Sequence, residues 1–104
     1  MMKDIIGFEG LYSITDQGNV WSYYTNKFLK PVLGANGYLK VTLVKDGKKY
    51  TKAVHRLVAE TFILNPDNLS LVNHKDENKM NNSVDNLEWC NHLYNSNYGT
   101  HPER

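Results

Sequence analysis

The chain has 104 residues, with 12 lysines and arginines against 11 aspartates and glutamates, and a single cysteine, Cys90. A chain of this length forms one small domain or two subdomains that share a core. One cysteine excludes an intrachain disulfide framework and a four-cysteine zinc site. No apolar run approaches the roughly 18 residues that a membrane span requires, so we expect no membrane partner.

The basic residues are concentrated in the middle of the chain. From Lys27 to Arg56 there are eight basic residues against Asp46 alone, a net charge of +7 for that segment. A local basic patch of this kind is typical of proteins that contact phosphates. The formal net charge of +1 for the whole chain therefore does not exclude a polyanionic partner.

The N-terminal part predicts two antiparallel hairpins. Tyr12 and Ile14 lead into the turn-forming D-Q-G-N at 16–19, and an extended, aromatic-rich run follows at 20–24. The clearest strand pair covers 38–45 and 48–54, because Asp46-Gly47 is a strong signal for a two-residue turn.

The turn at 46–47 also predicts the register of the second hairpin, which we call the ribbon. Leu43 should face Tyr50, and Leu39 should face Val54, which leaves one face apolar. The side chains that alternate to the other face are polar or basic for the most part: Lys40, Thr42, Val44, Lys49, Thr51 and Ala53. A ribbon of two strands fits a DNA major groove. Alternatively, its lysines only solubilise an exposed face and protect a sheet edge.

The C-terminal part predicts a helix, two short strands and a second helix. Apolar residues over 54–62 have helical spacing, so a helix should start near His55 and end before Asn65-Pro66, where proline discourages continuation. The run 69–72 predicts the strand that leads to His74, and 87–90 predicts the returning strand. Asn91 would cap a final helix that ends near residue 98.

Histidine and asparagine recur in this part at a distinctive spacing. His74, Asn86 and Asn95 are separated by twelve and nine residues. Together with V-H-R-L-V-A-E-T-F at 54–62 and N-L-E-W-C at 86–90, this pattern resembles the His-Asn-His (HNH) nuclease family and its ββα-metal site. The segment G-F-E-G-L-Y-S-I-T-D-Q-G-N-V-W-S at 7–22 is similar to a module often found ahead of homing endonucleases of this class.

The resemblance implies an α+β fold in which antiparallel β-hairpins and a short helix precede the ββα-metal motif. It divides the chain into an N-terminal β module at 1–53, which contacts DNA, and an HNH nuclease domain at 54–104. It also implies a metal-dependent endonuclease of the phage or intron homing type, which nicks or cuts double-stranded DNA as a monomer or homodimer. The expected cofactor is one Mg²⁺ or Mn²⁺ per site, and the expected location is the cytoplasm of a bacterial host or phage-infected cell.

Site residues follow from the same resemblance. His74 matches the general base, a role suited to histidine because its ordinary pKa lies near neutrality. Asn86 matches the residue that spans the loop by hydrogen bonds and holds the histidine. Asn73 and Asn95 match the metal ligands, although many relatives have aspartate in place of Asn73. Two neutral amides bind Mg²⁺ more weakly than a carboxylate pair. Glu77 stands where glycine is commoner.

Other polar residues have more than one interpretation. His55 either touches a phosphate or packs beside the apolar face of its helix. Asp76 is predicted to close the loop that follows His74, because aspartate and asparagine favour turns. The same is predicted for three asparagines: Asn78, Asn81 and Asn82. His92 and His101 are predicted to be solvated. We assign DNA contacts to five basic residues: Lys40, Lys49, Lys52, Arg56 and Lys75.

Two other functions compete with the endonuclease. The first is a non-catalytic DNA-binding module that retains the HNH scaffold, which the absence of a carboxylate from the predicted ligand pair favours. The second is a small RNA-binding protein that stacks bases on exposed tyrosines. Cleavage of a supercoiled plasmid with and without a divalent cation distinguishes the first from the endonuclease. Tight single-strand binding without cleavage would indicate the second.

Overall fold

The computed structural model describes residues 1–90, which form antiparallel strands around one α-helix, so the predicted α+β class is confirmed. The helix, α1, spans Val54–Phe62. The strands in chain order are β1 (Met2–Asp4), β2 (Tyr12–Thr15), β3 (Val20–Ser22), β4 (Lys27–Phe28), β5 (Val32–Leu33), β6 (Leu39–Lys45), β7 (Lys48–Ala53), β8 (Leu71–His74) and β9 (Leu87–Cys90). A 3₁₀ turn at Val84–Asn86 precedes β9. The predicted final helix, with Asn91, His92 and Asn95, and the tail residue His101 lie outside the described residues.

The strands form three small sheets, with the orders β1-β2-β3-β4, β5-β6-β7 and β8-β9. The first predicted hairpin is confirmed as β2 and β3, which are joined through the turn at 16–19. Its second strand ends at Ser22, two residues earlier than predicted, and the following turn contains Asn26 with a φ of 54°. Among residues 1–90, no helix is long and apolar enough to cross a bilayer.

The predicted ribbon is confirmed as β6 and β7. Asp46 and Gly47 have φ values of 52° and 77°, and positive values at both positions are what a type I′ hairpin turn requires. Leu43 faces Tyr50 as predicted. The predicted pair of Leu39 with Val54 does not form, because the ladder ends at the previous residue of β7 and Val54 already begins α1.

One core is shared by both halves of the chain. α1 follows β7 without a linker and packs against strands of all three sheets. The most completely buried large side chains are aliphatic and come from both sides of the predicted boundary at 53/54: Ile14, Val20, Leu43, Val54 and Val58. Burial of this apolar surface stabilises the fold. It also fixes the ends of β7, α1 and β8 relative to one another.

The turn at 16–19 packs directly on the loop between β8 and β9. Gly18 has a φ of +88°, and a Cβ atom at this position would lie only 3.0 Å from Cβ of Asn82 and 3.3 Å from Cγ1 of Val54. The carbonyl of Asp16 accepts a hydrogen bond from the N–H of Val84, at 2.8 Å. Glycine is required here by its backbone conformation and by the close approach. The N-terminal hairpin therefore supports the loop that follows His74.

Candidate active site

A cavity of about 430 Å³ opens where the ribbon, α1 and β8 meet. Asn73 and His74 line it from β8, and His55 lines it from the first turn of α1. Tyr38, just before β6, and Ala53, at the end of β7, complete this part of the wall. Residues that are far apart in the sequence are thus brought together by the junctions between three elements.

His74 is the last residue of β8, opposite Leu87 of β9, and only 4% of its surface is exposed. Its Nε2 lies 2.8 Å from Oδ1 of Asn82. Because an amide oxygen only accepts hydrogen bonds, Nε2 carries the hydrogen and Nδ1 is left as the nitrogen that accepts a proton. This tautomer suits a general base.

Asn82 is the site residue that the sequence did not reveal. It was predicted to close a loop, yet it is 5% exposed and binds the His74 ring. Asn86 was predicted to hold the histidine, but within residues 1–90 its side chain bonds to the loop and not to the ring. In a stretch with so many asparagines, the sequence contains no signal that separates the one that turns inward from its neighbours.

Asn86 holds the two ends of the loop together. Its Nδ2 donates to Oδ1 of Asp76 and to the carbonyl of Asn81, both at 2.9 Å. Its Oδ1 accepts from the N–H of Asp76 at 3.0 Å, and its carbonyl accepts from the N–H of Lys75 at 2.7 Å. The residue therefore spans the loop by hydrogen bonds, and it acts on His74 only through the backbone that it positions.

Asp76 organises the same loop. The side chain of Asn81, then the N–H of Asn78 and the side chain of Asn86, donate hydrogen bonds to its carboxylate. These bonds stabilise the charged form and hold the pKa of Asp76 below its ordinary value. Asp76, Asn78 and Asn81 therefore close the loop, as their residue types predicted.

Glu77 adopts the backbone conformation that favours glycine. Its φ is +64°, in the left-handed region, and its N–H donates to the carbonyl of His74 at 2.9 Å. This explains why a glycine would be the commoner residue at this position of the loop. The Glu77 side chain lines the cavity beside His74.

Asn73 is held by a cross-strand partner. Its Nδ2 donates to Oε2 of Glu88 at 3.0 Å, and the two residues face each other across the β8-β9 ladder. Because the nitrogen is engaged, Oδ1 is the atom of Asn73 that can bind a cation. Oxygen donors are what Mg²⁺ and Mn²⁺ prefer, so Asn73 fits one position of such a site. Residues 1–90 contain no cluster of three histidine, cysteine or acidic side chains suited to a metal. The second predicted ligand, Asn95, lies outside the described residues.

His55 lies against two other rings. Its centroid is 4.6 Å from that of Tyr38 and 5.1 Å from that of His74. Burial, then the proximity of His74 and Arg56, lowers the pKa of His55 to about 4. The imidazole is therefore neutral at physiological pH.

The lowered pKa of His55 predicts acid sensitivity. The unfolded chain binds the proton at the ordinary pKa of 6.5 and the folded chain at about 4, so folding is opposed as the pH falls from 6.5 towards 4. Between pH 7 and pH 5 the contribution of His55 to the free energy of unfolding should fall by about 2 kcal/mol. Urea unfolding at both pH values checks this. His55→Gln should lose less stability than the wild type over that interval, and an equal loss would contradict the prediction.

The basic residues assigned to DNA have different environments. Lys40 and Lys49 are exposed on the outer face of the ribbon, as predicted. Lys52 is also exposed, but it faces Val41 and so lies on the opposite face of the ribbon from the other two. Arg56 donates to the carbonyl of Ser70 at 2.8 Å and lies over the ring of Trp89. Its guanidinium thus joins α1 to the chain before β8.

Lys75 is exposed at the start of the loop after His74. Lys40 pairs with Ala53, whose side chain lines the cavity. The outer face of the ribbon therefore continues into the cavity wall.

Known proteins are similar to this chain in both sequence and fold. Residues 3–44 match the NUMOD4 motif. An uncharacterised HNH endonuclease, L245 of Acanthamoeba polyphaga mimivirus, is 48% identical over 79 residues, which cover 76% of this chain and 24% of the relative. DNA endonuclease I-HmuI of Bacillus phage SP01 is 44% identical over 87 residues, which cover 84% of this chain and 50% of the relative.

The structural comparison agrees with the sequence comparison. A solved structure of the HNH homing endonuclease I-HmuI, described as one of DNA binding and cleavage, superposes with a TM-score of 0.85 and 42% identity. The match covers 91% of this chain and 55% of that one. The chain thus spans from about a quarter to about half the length of these relatives. It is a homologue of the HNH homing endonucleases and carries a NUMOD4 motif in its N-terminal half.

Proposed function

We propose that this chain is a metal-dependent HNH endonuclease that hydrolyses phosphodiester bonds in double-stranded DNA. The observation that carries the proposal is the state of His74. Its Nε2 is hydrogen-bonded to Asn82, which leaves Nδ1 as the nitrogen that can accept a proton, and the residue lines an open cavity. The names of the relatives, which are DNA endonucleases, support the same activity. The expected place of action is the cytoplasm of a bacterial host or phage-infected cell.

In this proposal His74 takes a proton from the attacking water, and Asn82 holds the ring in the tautomer that allows the transfer. Asn86 keeps the loop closed, so that the side chain of Asn82 stays within hydrogen-bonding distance of the His74 ring. Asn73 would hold a divalent cation through Oδ1, together with Asn95. When bound, such a cation neutralises charge on the scissile phosphate and stabilises the leaving oxygen.

DNA would lie along the outer face of the ribbon. Lys40 and Lys49 are exposed there, and Ala53 at the end of the same face borders the cavity. A phosphate backbone that follows the lysines would therefore be led towards His74. Lys75, in the loop just after His74, would contact the backbone on the other side.

Incubation of purified protein with supercoiled plasmid, with and without Mg²⁺ or Mn²⁺, tests the activity. We expect nicked or linear product only when the cation is present. The second candidate is a non-catalytic DNA-binding module. It is favoured because the predicted metal ligand Asn73 is a neutral amide, and its nitrogen is hydrogen-bonded to Glu88. Binding of the plasmid without any cleavage would select that candidate.

The Asn73 and Glu88 pair predicts how the metal requirement can be changed. In Asn73→Asp alone, a carboxylate oxygen replaces the Nδ2 that now donates to Oε2 of Glu88. Repulsion between the two carboxylates should therefore offset the stronger cation binding that a charged ligand provides. Asn73→Asp combined with Glu88→Gln keeps a hydrogen-bonded pair. The double variant should lower the Mg²⁺ concentration for half-maximal cleavage several-fold more than the single variant.

A magnesium titration of single-turnover cleavage measures this effect, with Glu88→Gln as the control. If all three variants keep the wild-type midpoint, Asn73 does not bind the cation.

The exposed lysines of the ribbon make a separate prediction about DNA binding. Replacing Lys40 and Lys49 with alanine should flatten the plot of log affinity against log salt by about 0.9 for each phosphate that the protein no longer neutralises. Cleavage at saturating protein should stay near the wild-type rate, because His74 and its partners are unchanged. A salt titration of binding in metal-free buffer provides the measurement.

The matched control is the Lys27→Ala, Lys30→Ala variant. Lys27 is exposed on β4, in a different sheet from the ribbon. The slope of log affinity against log salt for this control variant should equal that of the wild type. If the two double variants behave alike, the ribbon does not carry the DNA.

A further inference from the structure

Three aromatic rings meet in the cavity, from the residue before β6, the first turn of α1 and the end of β8. His55 stacks on Tyr38 with an interplanar angle of 23°, and the centroids of Tyr38 and His74 are 5.7 Å apart. His55 therefore lies beside the proposed base, in the same cavity wall. The fold brings a second imidazole to the place where His74 is proposed to act.

The hydrogen bonding of His55 is incomplete. The side chain is 8% exposed, and its Nδ1 is buried with no hydrogen-bond partner among residues 1–90. A buried polar atom without a partner costs stability, and an apolar ring would fill this position beside Tyr38 without that cost. Packing alone therefore does not account for a histidine here.

The chemical state of His55 defines what it can bind. The lowered pKa keeps the ring neutral near pH 7, so it has one N–H and one bare nitrogen. Since Nδ1 is buried without an acceptor, the hydrogen belongs on Nε2, which is not among the buried unpartnered atoms of residues 1–90. The residue is thus an uncharged hydrogen-bond donor without a protein acceptor among residues 1–90.

The other charges of the cavity indicate the ligand. Arg56 and Lys79 line it together with a single acid among the described residues, Glu77. Lys79 Nζ lies 4.8 Å from the centroid of Tyr38, on the ring that stacks against His55. Arg56 also pairs with Glu60 at 3.8 Å, so the ammonium group of Lys79 is the cation that makes an anion with oxygen acceptors suit this neutral donor.

We propose that His55 is a second catalytic residue, which donates its Nε2–H to an oxygen of the scissile phosphate while His74 activates the water. This role rests on the proposed nuclease function and deepens it. A neutral donor in a partly desolvated site stabilises charge that develops on the phosphate in the transition state.

Two substitutions separate donation from packing. His55→Phe keeps an aromatic ring against Tyr38 and loses both nitrogens. His55→Gln loses the ring and keeps an N–H near the position of Nε2. We expect the single-turnover cleavage rate to fall about 10- to 100-fold in His55→Phe and to stay within about 10-fold of wild type in His55→Gln. The reverse order, with Phe active and Gln inactive, would show that His55 only supports the His74 ring.

The contact between His55 and phosphate can also be measured without cleavage. In metal-free buffer, addition of duplex DNA to the wild type should shift the His55 Nε2–H proton resonance downfield and slow its exchange with water. An unchanged resonance overturns the proposal even if the protein cleaves DNA. A shifted resonance in a protein that never cleaves would retain the phosphate contact and reject the nuclease. This measurement uses only the wild type, so it decides the matter even if a variant fails to fold.

Discussion

His74→Ala should abolish detectable DNA cleavage and leave DNA binding largely intact. The substitution removes the proposed general base, a group worth roughly 10²- to 10⁴-fold in rate, and it touches none of the exposed lysines of the ribbon. Single-turnover cleavage at saturating protein, beside binding in metal-free buffer, measures the two properties separately. His101→Ala, at a residue that the sequence predicts to be solvated, is the matched control and should cleave normally. Cleavage by His74→Ala at the wild-type rate would remove His74 from the mechanism.

The next largest effect is expected at Asn82, which the sequence alone did not single out. Asn82→Leu conserves size and removes the oxygen that accepts from Nε2 of His74. The imidazole is then free to place its hydrogen on Nδ1, and the nitrogen that can still accept a proton is Nε2, which faces position 82 and not the attacking water. A wrong tautomer costs up to about 10⁴-fold in a serine protease, and about 10²-fold is expected here because the neighbouring rings still hold the imidazole.

The control for Asn82→Leu is Asn19→Ala, since Asn19 is exposed in the turn of the first hairpin. Circular dichroism and thermal melting should show both variants folded. The prediction fails if folded Asn82→Leu cleaves as fast as Asn19→Ala. That result would mean that contact with the rings of Tyr38 and His55, and not the hydrogen bond, fixes the state of His74.

Local signals allowed much of the fold to be predicted. The Asp46-Gly47 turn gave the ribbon and its register, because both residues tolerate the positive φ that the turn demands. The apolar spacing predicted the start of α1 to within one residue and an end before Asn65, and the helix ends at Phe62. β1, β4 and β5 were missed because strands of two or three residues that are exposed throughout are too short for a detectable apolar pattern.

The candidate site was less accessible to sequence reasoning. The spacing of His74 and Asn86 pointed to the loop between β8 and β9, but it could not identify which amide turns inward. That choice depends on a contact with Gly18, more than sixty residues away in the sequence. The places of Tyr38 and His55 in the cavity also depend on tertiary packing. Hydrophobic periodicity contains no information about such contacts.

The contact of Gly18 with Asn82 limits how these proteins exchange parts in evolution. The matched NUMOD4 segment ends at residue 44, inside β6, and it includes both Gly18 and Tyr38. A recombination breakpoint at its end would divide the ribbon and replace the surface on which Asn82 rests. A new N-terminal partner would then need a residue without a side chain at the same point of its own hairpin. Inheritance of the two segments as a pair is the expected outcome, and a chimera joined at residue 44 should fold only when its donor supplies that glycine.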